Sequence, residues 1–239
     1  MFTKKEMIDI TKKQLAKNYN CALSDFDQKR NTWIKSNDNA FFKLLIFQGQ
    51  AIISSDETCR EWIEKELLDR NASWFFDFHM LRKIDQKLNL FGYEIENIYN
   101  YYLPNQILEE IQPLKAIKWF EKDEILQFKD DPRFDEAFIF DEKAPDILGV
   151  AAYEDDQIIA MAGASQNYDI LHEVGINVDS NYENQGIGTN LITLLKQELI
   201  KRGKIPFYKT AISHISSRNL CIKAGFFPAW VEIESRKKT

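Results

Sequence analysis

Along this chain, apolar positions recur in two different periods, and the switches between them outline most of the elements. In the front half, Thr3-Lys4-Lys5-Glu6 has the pattern of a capping box, and a polar helix with Met7, Ile8 and Leu15 follows. Two apolar runs, Phe41 to Phe47 and Ala51 to Ile53, flank Gln48-Gly49-Gln50 and predict a hairpin. Ser55-Asp56 open a helix that aligns Cys59, Trp62, Ile63 and Leu67. The next helix carries Leu81, Ile84 and Leu88 and stops near Gly92. Tyr93 to Leu103 reads as an extended aromatic strand closed by Pro104. Pro104 and Pro113 then flank a short helical stretch that marks a boundary. The expected division is an α+β unit over 1–105 and a second unit over 114–239.

The second half alternates more regularly. Ile117 to Phe120 is a short strand and Glu121 to Phe128 a helical stretch. Ile147 to Tyr153 and Ile158 to Ala164 form a hairpin around the turn Glu154-Asp155-Asp156-Gln157. Val174, Ile176 and Val178 then keep the strand period of two. After Gly188 the spacing becomes helical, with Leu191, Leu194, Leu195 and Leu199, and Gly203 closes the helix. Pro206 to Ala211 is a strand, a helix runs from about Ser216 to Ala224 with Gly225 as its stop, and Phe226 to Ile233 is the last strand. The order from residue 147 is strand, strand, strand, helix, strand, helix, strand.

Composition narrows the classes. With 239 residues and 44% apolar positions the chain can fill one large core or two small ones. A net charge of −6 argues against nucleic acid as the main partner. No apolar run approaches a membrane span, and the N-terminus lacks the apolar core of a signal peptide. Cys21, Cys59 and Cys221 are odd in number and scattered, which suggests a reducing compartment with neither a disulfide framework nor a metal site. The expectation is a cytoplasmic protein without nucleic-acid or membrane partners.

The chemistry concentrates in one strand, turn and helix start, Leu171 to Leu191. A glycine-bearing turn at a helix N-terminus offers free N–H groups and the positive end of the helix dipole, which favour a phosphate. Gly186 and Gly188 carry no side chain, so a ligand can approach the backbone there; the alternative is that they only make a tight turn. A dinucleotide fingerprint fails because Leu191 stands where its third glycine belongs, and a nucleotide triphosphate loop fails because Thr189-Asn190 follow Gly188. The front half shows no catalytic constellation. His79 reads as a packed or surface residue, and Trp74, Phe75, Phe76 and Phe78 as core or as the lining of a pocket.

Tyr182-Glu183-Asn184-Gln185-Gly186-Ile187-Gly188 resembles the pyrophosphate-binding turn of the GNAT superfamily of acetyl-CoA-dependent N-acetyltransferases, whose pattern is Arg/Gln-x-x-Gly-x-Gly/Ala. Glu183 takes the usual Arg/Gln position. A second resemblance lies in the last helix, where Lys223-Ala224-Gly225-Phe226 matches the family's closing Lys-x-Gly-Phe, with His214 and Cys221 replacing the usual Asn and Tyr. The motif-bearing resemblance covers roughly 147–235, and larger bacterial members carry an extra N-terminal half like this one.

The resemblance implies the GNAT fold, a mixed and mostly antiparallel sheet flanked by helices (α+β), joined to an N-terminal α+β unit. It implies acetyl-CoA as acyl donor, no metal, and direct transfer to a primary amine in a ternary complex. Glu183, Asn184, Gln185, Gly186, Ile187, Gly188 and Thr189 would hold the pyrophosphate. Ile176, Asn177 and Val178 would meet the pantetheine arm with backbone groups, the Val178 N–H serving the oxyanion, and His214 and Ser217 would flank its path. Because an alkyl amine is mostly protonated at neutral pH, a base is needed. Glu173 is the matching base, or else a salt-bridged strand residue, with His172 as runner-up. Cys221, Tyr208 and His214 are the candidates near the leaving thiol, Cys221 being alternatively a packed residue. The acceptor, a small molecule or a protein amine, stays open, as does a homodimer. The alternatives are a non-catalytic acetyl-CoA-binding module and a protein acetyltransferase whose front half binds the partner.

Overall fold

The computed structural model describes residues 2–37, 40–105 and 111–239. Residues 106–110, where the helical stretch between Pro104 and Pro113 was expected, lie outside them. The chain divides into two compact units, one of Met1–Ile8 with Tyr102–Pro228, the other of Asp9–Tyr101 with Ala229–Thr239. One crossing falls close to the expected boundary. The chain nevertheless crosses three times, inside α1 (Lys4–Asn18), inside β4 (Tyr93–Pro104) and inside β10 (Phe226–Lys237). The physical reason is length: β4 and β10 have 12 residues each, enough to serve one unit with each end, and periodicity does not reveal which partner a strand end will find.

In the unit of Asp9–Tyr101 and Ala229–Thr239, strands follow the order β1 (Thr32–Lys35), β3 (Gln50–Ser55), β2 (Phe42–Phe47), β10, β4. The β2–β3 hairpin turns through Gln48 and Gly49 at φ 50° and 83°, the left-handed pair whose twist suits a two-residue hairpin. The parallel strand β1 has no counterpart in the sequence reading, since four residues are too few to display alternation. Helices α2 (Arg60–Glu66) and α3 (Phe78–Asn89) bury Ile63, Met80, Ile84 and Leu88 in a cluster with Phe42, Leu44, Ile53 and Ile233. The helix expected at Ser55-Asp56 starts as a 3-10 turn, with the Asp56 carboxylate accepting from the Thr58 N–H at 2.9 Å. The aromatic run is split: Phe75 is buried, whereas Trp74 and Phe78 are exposed. His79 is exposed too.

The other unit opens with the expected capping box, in which the Glu6 N–H donates to Thr3 Oγ1 at 3.1 Å and the Thr3 N–H to Glu6 Oε2 at 2.7 Å. Its sheet runs β5 (Ala116–Glu121), β6 (Asp146–Glu154), β7 (Gln157–Ser165), β8 (Leu171–Val178), β9 (Ile205–Ala211), then the end of β4. The first four are mutually antiparallel; β8 and β9 are parallel and joined through α5 (Ile187–Lys201). Leu191, Leu195 and Leu199 of α5, with Cys221 of α6 (Ile215–Lys223), pack on Leu148, Val150, Ala162 and Val174. A second cluster on Ala151 and Met161 gathers Phe120, Phe128, Phe134 and Phe138, with Ile125 of α4 (Lys122–Ile125). This is the mixed, mostly antiparallel α+β sheet that the resemblance implied.

Candidate active site

Two registers define the site. Strand β7 accompanies β8 from Ser165 opposite Glu173 to Ala160 opposite Val178. Strand β9 accompanies β8 only from Ile205 opposite Leu171 to Tyr208 opposite Val174. Both strands continue, β8 to Val178 and β9 to Ala211, so they part after Val174 and Tyr208. The direction of the freed backbone groups follows from one bond. The Asp179 N–H donates to the Ile159 carbonyl at 2.9 Å, and residues of an antiparallel pair alternate between bonding the partner and facing away. By that alternation the N–H and C=O groups of Ile176 and Val178 face away from β7, into the fork.

The turn after β8 stands beside this fork. Asp179 caps a 3-10 turn over Ser180–Tyr182 by accepting from the Asn181 N–H at 2.9 Å. Asn184 and Gly186 are left-handed, at φ 59° and 82°, and the exposed Gln185 side chain donates to the Asn181 carbonyl at 3.2 Å. The first helical bond of α5 runs from Asn190 N–H to the Gly186 carbonyl at 3.0 Å, which leaves the N–H groups of Ile187, Gly188 and Thr189 without helical acceptors. These donors, together with the dipole of a 15-residue helix, fit a diphosphate. The exposed Glu183 adds a carboxylate to the same turn.

The two glycines serve different ends. A Cβ at Gly186 would only touch Leu114 Cδ1 at 3.7 Å, so its demand is the left-handed φ. A Cβ at Gly188 would come within 2.9 Å of Leu220 Cδ1 and 3.1 Å of Val178 Cγ2. Gly188 therefore lets the start of α5 close onto β8 and α6, which carries these N–H groups, unpaired among the described residues, up to the fork.

Glu173 is half-buried on β8, one residue before the fork. Asn167 Nδ2 donates to its Oε2 at 3.0 Å, and burial pushes its carboxyl above the ordinary carboxylate range against the opposing pull of Lys209. His172 is buried, with neither ring nitrogen in a hydrogen bond of good geometry, and burial drops it from 6.5 to about 4. It is neutral at pH 7. Tyr208, at the other arm of the fork, shares a hydrogen bond of 2.9 Å with Ser217 Oγ and is pushed up to about 12, first by burial. Cys221 is fully buried among core side chains, and burial pushes its thiol up, an environment suited to packing. His214 is exposed just before α6. Among the described residues, no group of His, Cys, Asp and Glu is placed to hold a metal ion.

Sequence reasoning missed one wall of the site. The Asn177 side chain does not face the fork: its Oδ1 accepts from the N–H groups of Glu136 and Ala137 at 3.0 and 2.7 Å, and its Nδ2 donates to Asp135 Oδ1 at 3.0 Å. The signal was present in three mid-strand glycines, Gly149, Gly163 and Gly175, since glycine inside a strand marks a close approach of other backbone.

A sheet forking beside the bare N-terminus of a helix is the architecture of the GNAT fold. Residues 108–226 match the model of the acetyltransferase (GNAT) family, so this part of the chain is a domain of that family. Solved structures with related architecture are distant. A GNAT-family protein from Novosphingobium aromaticivorans is 16% identical over 62% of this chain and 69% of its own, with a TM-score of 0.48. A GCN5-related N-acetyltransferase-like protein from Streptococcus suis is 14% identical over 81% and 84%, with a TM-score of 0.47. The yncA protein of Salmonella typhimurium, solved with its cofactor acetyl-CoA, is 15% identical over 40% and 65%, with a TM-score of 0.32. No curated protein sequence matches the chain significantly.

Proposed function

We propose that the chain is an N-acetyltransferase that moves an acetyl group from acetyl-CoA to a primary amine by direct attack. The observation that carries this reading is the fork between β8 and β9 beside the unpaired N–H groups of α5. Acetyl-CoA supplies an activated thioester; the chain supplies orientation and proton transfer. The N–H groups of Ile187, Gly188 and Thr189 hold the diphosphate, with the turn residues Glu183, Asn184, Gln185 and Gly186 around it. Ile176 and Val178 present backbone groups to the arm that enters the fork, and the Val178 N–H donates to the carbonyl oxygen as charge develops there.

Glu173 takes a proton from the incoming ammonium, a task suited to a carboxylate whose affinity for protons burial has raised. Tyr208, held by Ser217, stays protonated at neutral pH and gives its proton to the departing sulfur. The amine nitrogen bonds to the acetyl carbon and the C–S bond breaks; the second proton that the nitrogen sheds restores Tyr208, Glu173 returns the first to solvent, and the products are an amide and a thiol. No covalent enzyme intermediate is invoked, because among the described residues no nucleophile paired with a base stands in the fork.

The Val178 N–H faces away from β7, so Val178→Pro removes the donor without breaking the β7–β8 ladder. Expected are acetyl-CoA binding retained by calorimetry and thiol release slowed about 10²-fold, as for loss of one such donor. Unchanged turnover would refute the role. A second reading, an acetyl-CoA-binding module without transfer, is favoured by Glu183 at the position where the family usually has Arg or Gln. It requires acetyl-CoA binding and no thiol release with any amine.

A further inference from the structure

The three mid-strand glycines form a row. Gly149 stands opposite Gly163, and Gly163 opposite Gly175. A Cβ at Gly149 would lie 2.9 Å from Phe138 Cζ, one at Gly163 2.1 Å from the Ala137 carbonyl oxygen, and one at Gly175 1.8 Å from the Glu136 carbonyl oxygen. The backbone of Glu136 and Ala137 therefore lies flat on β8 and β7, and the Phe138 ring carries the row on over β6. That backbone reaches Gly175, the first residue of β8 beyond the last one paired with β9. Both ends of this strap are pinned. Asn177 holds its start, and the N–H groups of Ile139 and Phe140 donate to the Asp146 carboxylate at 3.1 and 2.9 Å, which also accepts from Ser165.

So firm a mount calls for something to be mounted. The Glu136 side chain is exposed and, among the described residues, its carboxylate has no hydrogen bond or ion pair. Its charge acts on Glu173 and on Tyr208, one on each arm of the fork. The neighbouring Asp135 is engaged by Asn177, and Lys209 acts on Glu173.

We infer that Glu136 is a specificity-determining residue that holds a second, non-reacting ammonium group of the acceptor, so that the acceptor is a diamine or longer polyamine. This rests on the acetyl-transfer reading. Glu173 is needed for the reacting nitrogen, so a cation elsewhere on the same molecule must find another carboxylate. Glu136 offers one fixed relative to the fork by the glycine row.

The test compares putrescine with the amino alcohol of equal chain length, which keeps the reacting amine and replaces the second cation by a hydroxyl. Steady-state thiol release and calorimetric binding of each acceptor in the presence of coenzyme A are measured for the wild type, Glu136→Gln and Glu136→Lys. The wild type should prefer the diamine in both measurements. Glu136→Gln should lower kcat/KM for the diamine about fivefold, the scale of one partly exposed ion pair, and leave the amino alcohol nearly unchanged. Glu136→Lys should lower it further. No preference in the wild type, equal losses for both acceptors, or turnover of neither diamine nor longer polyamine would overturn the inference. Thiol release on the same samples separates the two readings: if it persists with any amine while the acceptor preference fails, only the assignment of Glu136 falls.

Discussion

Gly186 and Gly188 occupy one turn and answer to different forces, and this decides what their replacement would mean. A larger residue at Gly188 drives into Leu220 and Val178, so loss of acetyl-CoA binding there would report a displaced helix as readily as a lost cradle. Replacement of Gly186 acts only through backbone conformation. Glu173 allows a cleaner prediction. Its folded-state pKa is raised, so the folded protein binds the proton more readily than the unfolded chain, and ionisation with rising pH destabilises the fold. Glu173→Gln should therefore raise the melting temperature at pH 7 and leave it unchanged well below the ordinary carboxylate range. It should also slow transfer about 10²-fold or more and abolish the fall in kcat/KM on the acidic side. Calorimetric scans and a pH–rate profile check both. A melting temperature lower than wild type at pH 7 would show that the carboxylate is there for structure.

At the scale of elements, most of the fold was legible because each strand or helix shows its own period. The α5 turn and the Lys-x-Gly-Phe ending were legible because glycine marks the left-handed positions Gly186 and Gly225. Two features were not. Strand β1 is too short to display a period. The strap over residues 135–138 is irregular, and its place depends on Asn177, 40 residues or more away in sequence. The sequence reading gives Asn177 only a backbone role on the pantetheine path and not its side chain's hold on the strap, because strand periodicity cannot say which face of β8 a loop will cover. Asn177→Ala removes three hydrogen bonds at a half-buried site, about 2 kcal/mol in all. Thermal unfolding should shift down by roughly 4–8 °C. The KM for the acceptor should rise while the affinity for acetyl-CoA stays near that of the wild type. A loss of acetyl-CoA affinity instead would place the strap's influence on the donor side.

At the scale of the whole molecule, the division at 1–105 and 114–239 suggested that the catalytic half could be cut free near Pro104. The structure argues against that cut. Tyr102 is fully buried in the core that holds Leu148, Val174, Tyr208 and Cys221, and β4 flanks β9. A fragment starting at residue 105 lacks Tyr102 and Leu103 and also Met1–Ile8, while it keeps 229–239, whose pairing partner β2 is gone. It should show no cooperative thermal transition by circular dichroism. A sharp melt near that of the full chain would mean that the core closes without the end of β4. The same crossing of strands bears on how the protein is made. Trp230 to Glu234 align with Lys43 to Phe47, and β10 stands between β2 and β4 in its sheet. The strands β1 to β4 must therefore wait for β10 to be synthesised before their sheet is complete. Until then the nascent chain carries open edges on β2 and β4, and chaperone engagement should persist until β10 has emerged.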